Sequence, residues 1–318
     1  MIDLAAKRIL VTGGHGFLGS HLLDRFRQGG CRDIFAPARS ECDLTQCGAA
    51  EQLFASYKPQ VVIHAAAAVG GIGANQKNPG FFFYANLIMG AELIEAARRH
   101  HAEKVVVLGT ICSYPRLTPV PFREDDLWNG YPEPVTAPYG IAKKALLVQC
   151  QTYRQQYGLN AICLLPVNLY GPRDHFDPEN SHVVPALIRK FVEAKQQRQD
   201  TVVVWGDGSA TREFLYVADA AEGIFRSTVC YDKPDPVNLG TGTETSIREL
   251  AETIARLVQF EGQITWDTDK PNGQPRRCLD VSRAEQEFGF RAATPLEEGL
   301  RSTVGWYLAL HGHNLNTH

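Results

Sequence analysis

The start of the chain constrains the fold more than any other stretch, because an apolar strand runs into a glycine-rich turn and an amphipathic helix. Residues 7–12 have the composition of a buried strand. Gly13, Gly16 and Gly19 follow as G-x-x-G-x-x-G, and apolar residues then recur at helical spacing until a glycine pair at 29–30. Strand, glycine loop and helix in this order predict a dinucleotide-binding site, with the pyrophosphate facing the helix N terminus.

Strands and helices keep alternating after this unit. We predict buried strands at 33–36, 60–68, 104–108, 161–165 and 237–240, and helices at 82–99, 137–157 and 217–229. This βαβ rhythm requires a mostly parallel sheet covered on both faces. The expected fold class is α/β, a Rossmann-type doubly wound parallel sheet with a smaller, discontinuous C-terminal substrate lobe.

The alternation changes after Pro172, which suggests two lobes. The remaining predicted elements are a strand at 202–205 and helices at 182–195, at 246–258, after Ser282 and after Pro295. We expect residues 1–170 plus about 214–240 to form the dinucleotide-binding domain. Residues from about 171–213 and 241–318 would form the substrate lobe.

Composition excludes several classes of partner. The 32 Lys and Arg nearly balance the 35 Asp and Glu, so no strong field favours nucleic acid or a membrane surface. No apolar run approaches the ~20 residues that span a bilayer, and the first residues lack a signal-peptide layout. The eight cysteines are scattered without CxxC pairs, which predicts reduced thiols in a cytoplasmic protein and no metal site.

The residues after the second strand bear on the choice of dinucleotide. The strand at 33–36 ends without the acidic residue that binds an adenosine ribose 2′-hydroxyl, and Arg39 lies just beyond it. A cation there suits a 2′-phosphate, so the sequence favours NADP over NAD. The alternative is an ordinary solvated arginine.

Tyr139 and Lys143 stand four residues apart in the helix predicted at 137–157, so they share one face. A neighbouring ammonium is expected to lower the pKa of a phenol and make it a usable proton donor. Lys144 would point about 100° away and is the poorer candidate. On its own the pair is also compatible with a packed tyrosine and a solvated lysine.

Several motifs together resemble the extended short-chain dehydrogenase/reductases. They are Thr12 with the glycine loop, Thr110, the Tyr139–Lys143 pair, and Asn168 through Pro172. Within that family the chain resembles the branch that synthesises GDP-L-fucose, from about Arg8 to Trp306. The segments that carry this narrower resemblance are Val69–Ile72, Cys112–Pro115, Asn180–Leu187, Val202–Gly206 and Arg212–Leu215.

The resemblance implies an NADPH-dependent enzyme that epimerises C3 and C5 of a GDP-4-keto-6-deoxy-mannose-type sugar and reduces C4. Thr110, Tyr139 and Lys143 would form the reductase triad, Thr110 standing where the family often has serine. Cys112 and His182 match its acid/base pair, and we expect Cys112 to be the base and His182 the acid. Implied cofactor contacts are Gly13, Gly14, His15, Gly16, Phe17, Leu18, Gly19, Arg39, Asp43, Leu44, Ala65, Ala66, Ala67, Leu108, Gly109, Thr110, Tyr139, Lys143, Pro166, Asn168, Leu169 and His182.

Implied substrate contacts are Gly71, Cys112, Asn168, Val183, Lys190, Trp205, Arg212, Asn272 and Arg277. Three of these depart from the family pattern: Lys190 replaces an Arg, Asn272 an acid and Arg277 a Lys. Because lysine lacks the bidentate grip of arginine, the departures bear on which sugar nucleotide binds more than on the chemistry.

Simpler readings and rival functions stay open at this stage. Cys112 is also compatible with a packing residue, His182 with a helix cap, and Trp205 with a core residue. The rival functions are a 4-reductase of a related GDP-4-keto sugar (a dideoxyhexose or a heptose), an NAD-dependent 4-epimerase, and a non-catalytic dinucleotide sensor. The family resemblance also implies a homodimer packed through the helices at 82–99 and 137–157.

Overall fold

The computed structural model describes residues 2–177, 181–270 and 273–311. In chain order the strands are β1 (Ile9–Thr12), β2 (Ile34–Phe35), β3 (Val61–His64), β4 (Lys104–Leu108), β5 (Ala161–Pro166), β6 (Asn168–Tyr170), β7 (Thr201–Trp205), β8 (Thr211–Arg212), β9 (Phe214–Tyr216), β10 (Val237–Leu239), β11 (Thr245–Ser246) and β12 (Gln263–Asp267). The α-helices are α1 (Phe17–Gln28), α2 (Ala49–Tyr57), α3 (Ile72–Lys77), α4 (Pro79–Arg99), α5 (Ala137–Tyr157), α6 (Val183–Gln196), α7 (Val217–Cys230), α8 (Ile247–Val258), α9 (Ser282–Phe288) and α10 (Leu296–Leu310). Two 3₁₀ turns, η1 (Ile111–Ser113) and η2 (Glu124–Trp128), lie between β4 and α5.

A six-stranded parallel sheet forms the centre of the structure, in the order β10-β5-β4-β3-β1-β2. Every residue of β1, β3 and β4 is buried, as expected for a parallel sheet covered by helices on both faces. The predicted Rossmann-type α/β fold class is confirmed.

The strand residues alternate between two hydrophobic clusters, one on each face of the sheet. On one face, Val62 and Val105 pack with Leu93 of α4 and Leu146 of α5. On the other face, Val11, Ile63 and Val106 pack with apolar residues of α1 and α7. The helix faces predicted from 3.6-residue spacing are therefore the buried ones.

A third hydrophobic cluster joins elements from the second half of the chain. Phe191 of α6, Leu250 and Ile254 of α8, and Leu300 of α10 pack around the buried residues of β7. β7 pairs in parallel with β12, β6 with β9, and β8 pairs antiparallel with β11.

Most predicted elements lie within a few residues of the observed ones, and α5 has the predicted bounds. The predicted strand at 60–68 is too long, because β3 ends at His64 and its alanines form the following loop. The helices α2 and α3 and the short strand β12 were not predicted.

Two further features of the structure concern membrane spans and metal sites. Within the described ranges, no helix combines the length and the apolar character needed to cross a bilayer. No group of three or more His, Cys, Asp or Glu side chains in the same ranges is arranged to hold a metal ion.

Candidate active site

The glycine loop between β1 and α1 is folded so tightly that three of its glycines have no room for a side chain. Gly13 has a φ of +72°, and an added Cβ would lie 2.8 Å from the Cα of Ala66. A Cβ on Gly19 would overlap the carbonyl oxygen of Gly13. Gly16 precedes α1 and no side chain caps the helix there, so its first N–H groups fit the pyrophosphate of a dinucleotide.

The rest of this loop faces the end of β2. An added Cβ on Gly14 would lie 2.5 Å from the Cβ of Ala36, and Nε2 of His15 lies 2.9 Å from the Ala36 carbonyl oxygen. Phe17 and Leu18 form the half-buried first turn of α1. The predicted loop residues therefore join the ends of β1 and β2 into one surface.

Arg39 lies in the loop after β2, where the sequence placed a cation for the adenosine ribose. Its side chain is exposed, and Nη2 lies 3.4 Å from Oδ2 of Asp43. The N–H and hydroxyl of Thr45 donate to Oδ1 of Asp43 at 3.0 and 2.8 Å, and these bonds lower the pKa of that carboxyl. The next residue, Leu44, is buried. The carboxylate thus anchors the arginine without removing it from solvent.

The carboxyl ends of β3, β4 and β5 lie side by side, which follows from their parallel register. Ala65–Ala67 follow β3, whose last residue pairs with Val107 of β4. Leu108 ends β4 and Gly109 follows it, while Pro166 ends β5. These predicted cofactor contacts occupy the edge at which ligands bind in such sheets.

Thr110, Cys112 and Tyr139 come together at this edge. Oγ1 of Thr110 accepts the N–H of Cys112 at 3.2 Å, and the Thr110 hydroxyl is near enough to the phenol of Tyr139 to act on its pKa. Gly140 packs so closely on the Cys112 carbonyl that a Cβ would overlap it. Oγ of Ser113 donates to the Gly140 carbonyl at 3.1 Å. The turn η1 and the start of α5 therefore fix a thiol and two hydroxyls in one place.

Lys143 lies beneath this group and is almost fully buried. Burial lowers the pKa of its ammonium to about 8. Its charge acts on two buried groups of the sheet, lowering the pKa of His64 in β3 and opposing the burial that raises the pKa of Cys163 in β5.

The pKa of Tyr139 differs from the sequence-based expectation. Burial raises the pKa of the phenol, the charge of a Cys112 thiolate adds to the increase, and the Thr110 hydrogen bond opposes it. Lys143 lies one helical turn from the phenol, and the groups on which its charge acts are His64 and Cys163. In the ligand-free protein the phenol is therefore protonated at neutral pH.

Lys144 points elsewhere, as its helix position predicts. Nζ donates to the carbonyl oxygen of Leu127 and lies 4.4 Å from the centroid of the Trp128 ring. Lys144 therefore holds the loop before α5 and leaves Lys143 as the partner of Tyr139.

His182 is the residue immediately before α6. It is exposed at the surface, but neighbouring protein atoms partly desolvate the ring, and this lowers the pKa of the imidazole. The positive charge of His175 adds to the decrease, and a position at a helix N terminus also disfavours a cation. The ring is therefore mostly neutral at pH 7.

Trp205, at the end of β7, is an exposed aromatic surface flanked by cations. The residue is 63% exposed, which excludes the alternative that Trp205 is a core residue. Nζ of Lys190 lies 5.8 Å and Nζ of Lys270 lies 5.7 Å from the ring centroid. A flat indole between two ammonium groups suits a nucleotide base with its phosphates.

Arg212 and Arg277 approach the thiol. Nη1 of Arg277 lies 3.8 Å from Sγ of Cys112. Burial and, to a smaller extent, the charge of Arg277 lower the pKa of Arg212 to about 10, while Cys112 acts in the opposite direction. Residues that are 100 and 165 positions away in the sequence thus converge on Cys112.

The other predicted contacts occupy less distinctive positions. Nδ2 of Asn168 donates to the Glu213 carbonyl oxygen at 3.0 Å, beside Arg212. Leu169 is half-buried in β6, Gly71 precedes α3, and Val183 begins α6. Asn272 and Asn180 lie outside the described residues.

Sequence reasoning missed Lys270, beside Trp205, and Gln274, whose Oε1 accepts Nε of Arg277 at 2.7 Å. The contact between Gln274 and Arg277 could have been suspected from the sequence, because the two residues are only three positions apart.

Comparison with known proteins agrees with this site. The profile of the NAD dependent epimerase/dehydratase family matches residues 9–240. The GDP-L-fucose synthase of Sinorhizobium fredii is 44% identical over 300 residues, covering 94% of this chain and 95% of that protein. A GDP-L-fucose synthetase of Naegleria fowleri, solved with NADP bound, superposes with a TM-score of 0.91 at 27% identity, covering 98% of this chain and 97% of that one.

A third relative acts on a different sugar. A GDP-6-OMe-4-keto-L-xylo-heptose reductase from C. jejuni superposes with a TM-score of 0.91 at 27% identity, covering 97% of this chain and 99% of that one. Family match, identity and coverage agree with the glycine loop and the group around Tyr139. The chain therefore belongs to the NAD dependent epimerase/dehydratase family, within which it groups with the GDP-L-fucose synthases.

Proposed function

We propose that this protein is an NADPH-dependent 3,5-epimerase and 4-reductase that converts GDP-4-keto-6-deoxy-D-mannose to GDP-L-fucose. The observation that carries the proposal is the convergence of the Cys112 thiol with the hydroxyls of Thr110 and Tyr139 where the turn η1 packs on the start of α5. A ketone reductase needs the hydroxyls but has no use for the thiol. The names of the relatives support the same reaction.

Epimerisation begins at a carbon next to the ketone. A 4-keto group makes the C3 and C5 hydrogens acidic, because the electrons of the broken C–H bond are delocalised as an enolate. The hydroxyls of Thr110 and Tyr139 donate hydrogen bonds to the enolate oxygen, which stabilises the developing charge.

Inversion requires a base on one face of the carbon and an acid on the other. Cys112 removes the proton as a thiolate, and His182 returns a proton on the opposite face. Because burial lowers the pKa of His182, only a minor fraction of the imidazole carries that proton at pH 7. The proposed roles therefore require Cys112 to be deprotonated at a pH low enough for His182 to be charged.

NADPH supplies the hydride that reduces C4. Tyr139 is protonated at neutral pH, as a group that must give a proton to the C4 oxygen has to be. Lys143, with a pKa of about 8, is close to its own titration point and is the candidate to replenish that proton.

The GDP moiety would lie across the residues around Trp205 and Arg212. The exposed ring of Trp205 would stack on guanine, with the ammonium groups of Lys190 and Lys270, which lie over the ring in the ligand-free chain, beside it. Arg212 and Arg277 supply forked cations for the diphosphate. With guanine and the diphosphate bound in this way, the sugar would lie between the diphosphate and Thr110.

Replacing Cys112 with serine tests the proposed chemistry. We expect deuterium uptake from solvent at C3 and C5 to fall by at least about 100-fold, because a hydroxyl is a far weaker base than a thiolate. Reduction of an already epimerised 4-keto intermediate should persist, since Tyr139 and Thr110 are unchanged. NMR of the product in heavy water and NADPH consumption measure the two steps separately.

The matched control is Cys230→Ser, an exposed cysteine outside the site. It should change neither step. Loss of both steps together in Cys112→Ser would contradict separate roles for the thiol and the phenol.

A second candidate is reduction of a related GDP-4-keto sugar, with or without epimerisation. Lys190, Asn272 and Arg277, which depart from the pattern expected for the family, favour it. A panel of GDP-4-keto sugars incubated with NADPH, followed by NMR of C3, C4 and C5 configuration, decides between the candidates. Net NADPH consumption with a single substrate would exclude a 4-epimerase that retains NAD.

The preference for NADPH rests on Arg39. We expect Arg39→Ala to raise the KM for NADPH about 30-fold, the equivalent of a ~2 kcal/mol contact with the 2′-phosphate. The KM for NADH should stay within about twofold, because NADH carries no phosphate there. Arg32→Ala is the control, since Arg32 is also exposed and lies before β2. Equal changes for both cofactors would assign Arg39 a structural role.

The assembly and the location are part of the proposal. Phe81 and Tyr84 on α4, and Val148 and Tyr157 on α5, are large apolar residues with 41–59% of their surface exposed. A homodimer would bury these residues, and sedimentation equilibrium would measure the oligomeric state.

The proposed substrate lobe comprises about 171–213 and 241–318. The eight free thiols support a cytoplasmic location.

A further inference from the structure

The guanidinium of Arg277 lies within hydrogen-bonding distance of the thiol that the proposed reaction needs as a base. Nη1 donates to Sγ of Cys112 across 3.8 Å, within the range of an N–H···S hydrogen bond. Cys112 is half-buried, so water screens this contact only in part. An arginine beside a cysteine favours the thiolate over the thiol.

Arg277 is held in this position by a chain of hydrogen bonds. Oε1 of Gln274 accepts Nε of Arg277 at 2.7 Å, and Nε2 of Gln274 donates to the carbonyl oxygen of Arg116 at 2.8 Å. Arg116 lies four residues after Cys112 in the same loop. Gln274 thus fastens the guanidinium to the segment that carries the thiol.

The positive charges of Arg212 and Arg277 both favour an anion at the sulfur of Cys112. Arg212 and Arg277 are close enough that the charge of Arg277 lowers the pKa of Arg212, and Cys112 acts on Arg212 with the opposite sign. Within the described ranges no carboxylate forms an ion pair with Arg277, whereas the adjacent Arg276 pairs with Glu244. A thiolate is therefore the anion that these contacts provide for Arg277 in the ligand-free chain.

We propose that Arg277, oriented by Gln274, is a positioning residue that holds Cys112 as a thiolate before the substrate binds. In forming that state, the thiol loses its proton to solvent, and the sulfur keeps the electron pair with which it later attacks a C–H proton. The inference rests on the proposed function for its catalytic meaning.

The shape of arginine explains why it suits this place. Its five N–H donors let one side chain bind Gln274 through Nε, the sulfur through Nη1, and an anion of the substrate through the remaining donors. A lysine, which the family pattern has at this position, has a single flexible ammonium. It cannot be held by Gln274 and directed at the sulfur through separate, fixed atoms.

Alkylation by iodoacetamide tests the proposal without any substrate. The rate of modification of Cys112 is followed against pH by mass spectrometry of its peptide, in the full-length protein. In Arg277→Gln we expect the midpoint of this profile to rise by about one pH unit relative to the unsubstituted protein. Arg277→Lys should give a smaller rise. The exposed Cys47 and Cys230 serve as internal references and should not move.

The matched control is Arg276→Gln, which removes the neighbouring cation and should leave the Cys112 midpoint unchanged. Gln274→Leu provides a second test, because it keeps every charge and removes only the orienting bond. It should raise the midpoint by about half as much as Arg277→Gln. An identical midpoint in the unsubstituted protein, Arg277→Gln and Gln274→Leu would overturn the proposal.

The outcomes separate this inference from the proposed function. A shifted midpoint in a protein that turns over no GDP-4-keto sugar keeps the thiolate assignment and rejects the reaction. Turnover of a GDP-4-keto sugar by a protein whose Cys112 midpoint does not shift would keep the reaction and reject the thiolate assignment.

Discussion

Replacing Tyr139 with phenylalanine should lower the rate of C4 reduction by at least about 1,000-fold. The phenol is the proposed proton donor to the C4 oxygen, and its hydroxyl also shares the stabilisation of the developing charge with Thr110. Burial keeps this phenol protonated at neutral pH, so the unsubstituted protein starts each reduction with the proton in place. Phenylalanine keeps the ring and removes only that proton.

The measurement is NADPH oxidation with an epimerised 4-keto intermediate, so that inversion does not limit the rate. Tyr131→Phe is the control, because Tyr131 is 66% exposed and lies outside the site. Thermal unfolding of Tyr139→Phe should show a cost of only about 1 kcal/mol, that of one hydrogen bond. A rate loss below about tenfold would mean that solvent supplies the proton.

Replacing Gly140 with alanine should destabilise the protein by about 3 kcal/mol and reduce both reactions together. A Cβ at this position would overlap the carbonyl oxygen of Cys112, so either α5 or the turn η1 must move. Because the bond between Ser113 and Gly140 joins the same two elements, the movement would separate Tyr139 from Thr110. The free energy of unfolding in urea and the two rates measure the effect.

Gly80→Ala is the matched control for this change. Gly80 lies in α4, and no atom stands within 4 Å of an added Cβ. Alanine there should stabilise the helix by about 0.5 kcal/mol and leave both rates unchanged. If Gly140→Ala behaved like Gly80→Ala, the packing of α5 on η1 would not control the site.

The sequence was most informative where a local pattern determines geometry. The four-residue spacing of Tyr139 and Lys143 and the glycines at 13, 16 and 19 depend only on helix and turn geometry. The long helices have continuous apolar faces, whereas α2 buries only Ala50, Leu53 and Phe54 and gives a weak signal.

Contacts between distant segments could not be derived in the same way. Arg277 is 165 residues from Cys112, and no spacing rule connects them. The sequence also predicted that Lys143 would act on the phenol of Tyr139. The structure directs its charge towards His64 and Cys163, because neighbouring strands bring those side chains beneath α5.

The turn η1 carries the groups for both proposed reactions: the hydroxyl of Thr110 comes immediately before it, and the thiol of Cys112 lies within it. Remodelling this backbone would disturb reduction and inversion alike, so neither activity can be lost through a loop rearrangement without harming the other. In descendants of such a chain, a pure reductase would therefore arise by exchange of a side chain that only inversion needs, at position 112 or 182. Ancestral reconstruction across this branch should find that substitution before any change in the length of the turn.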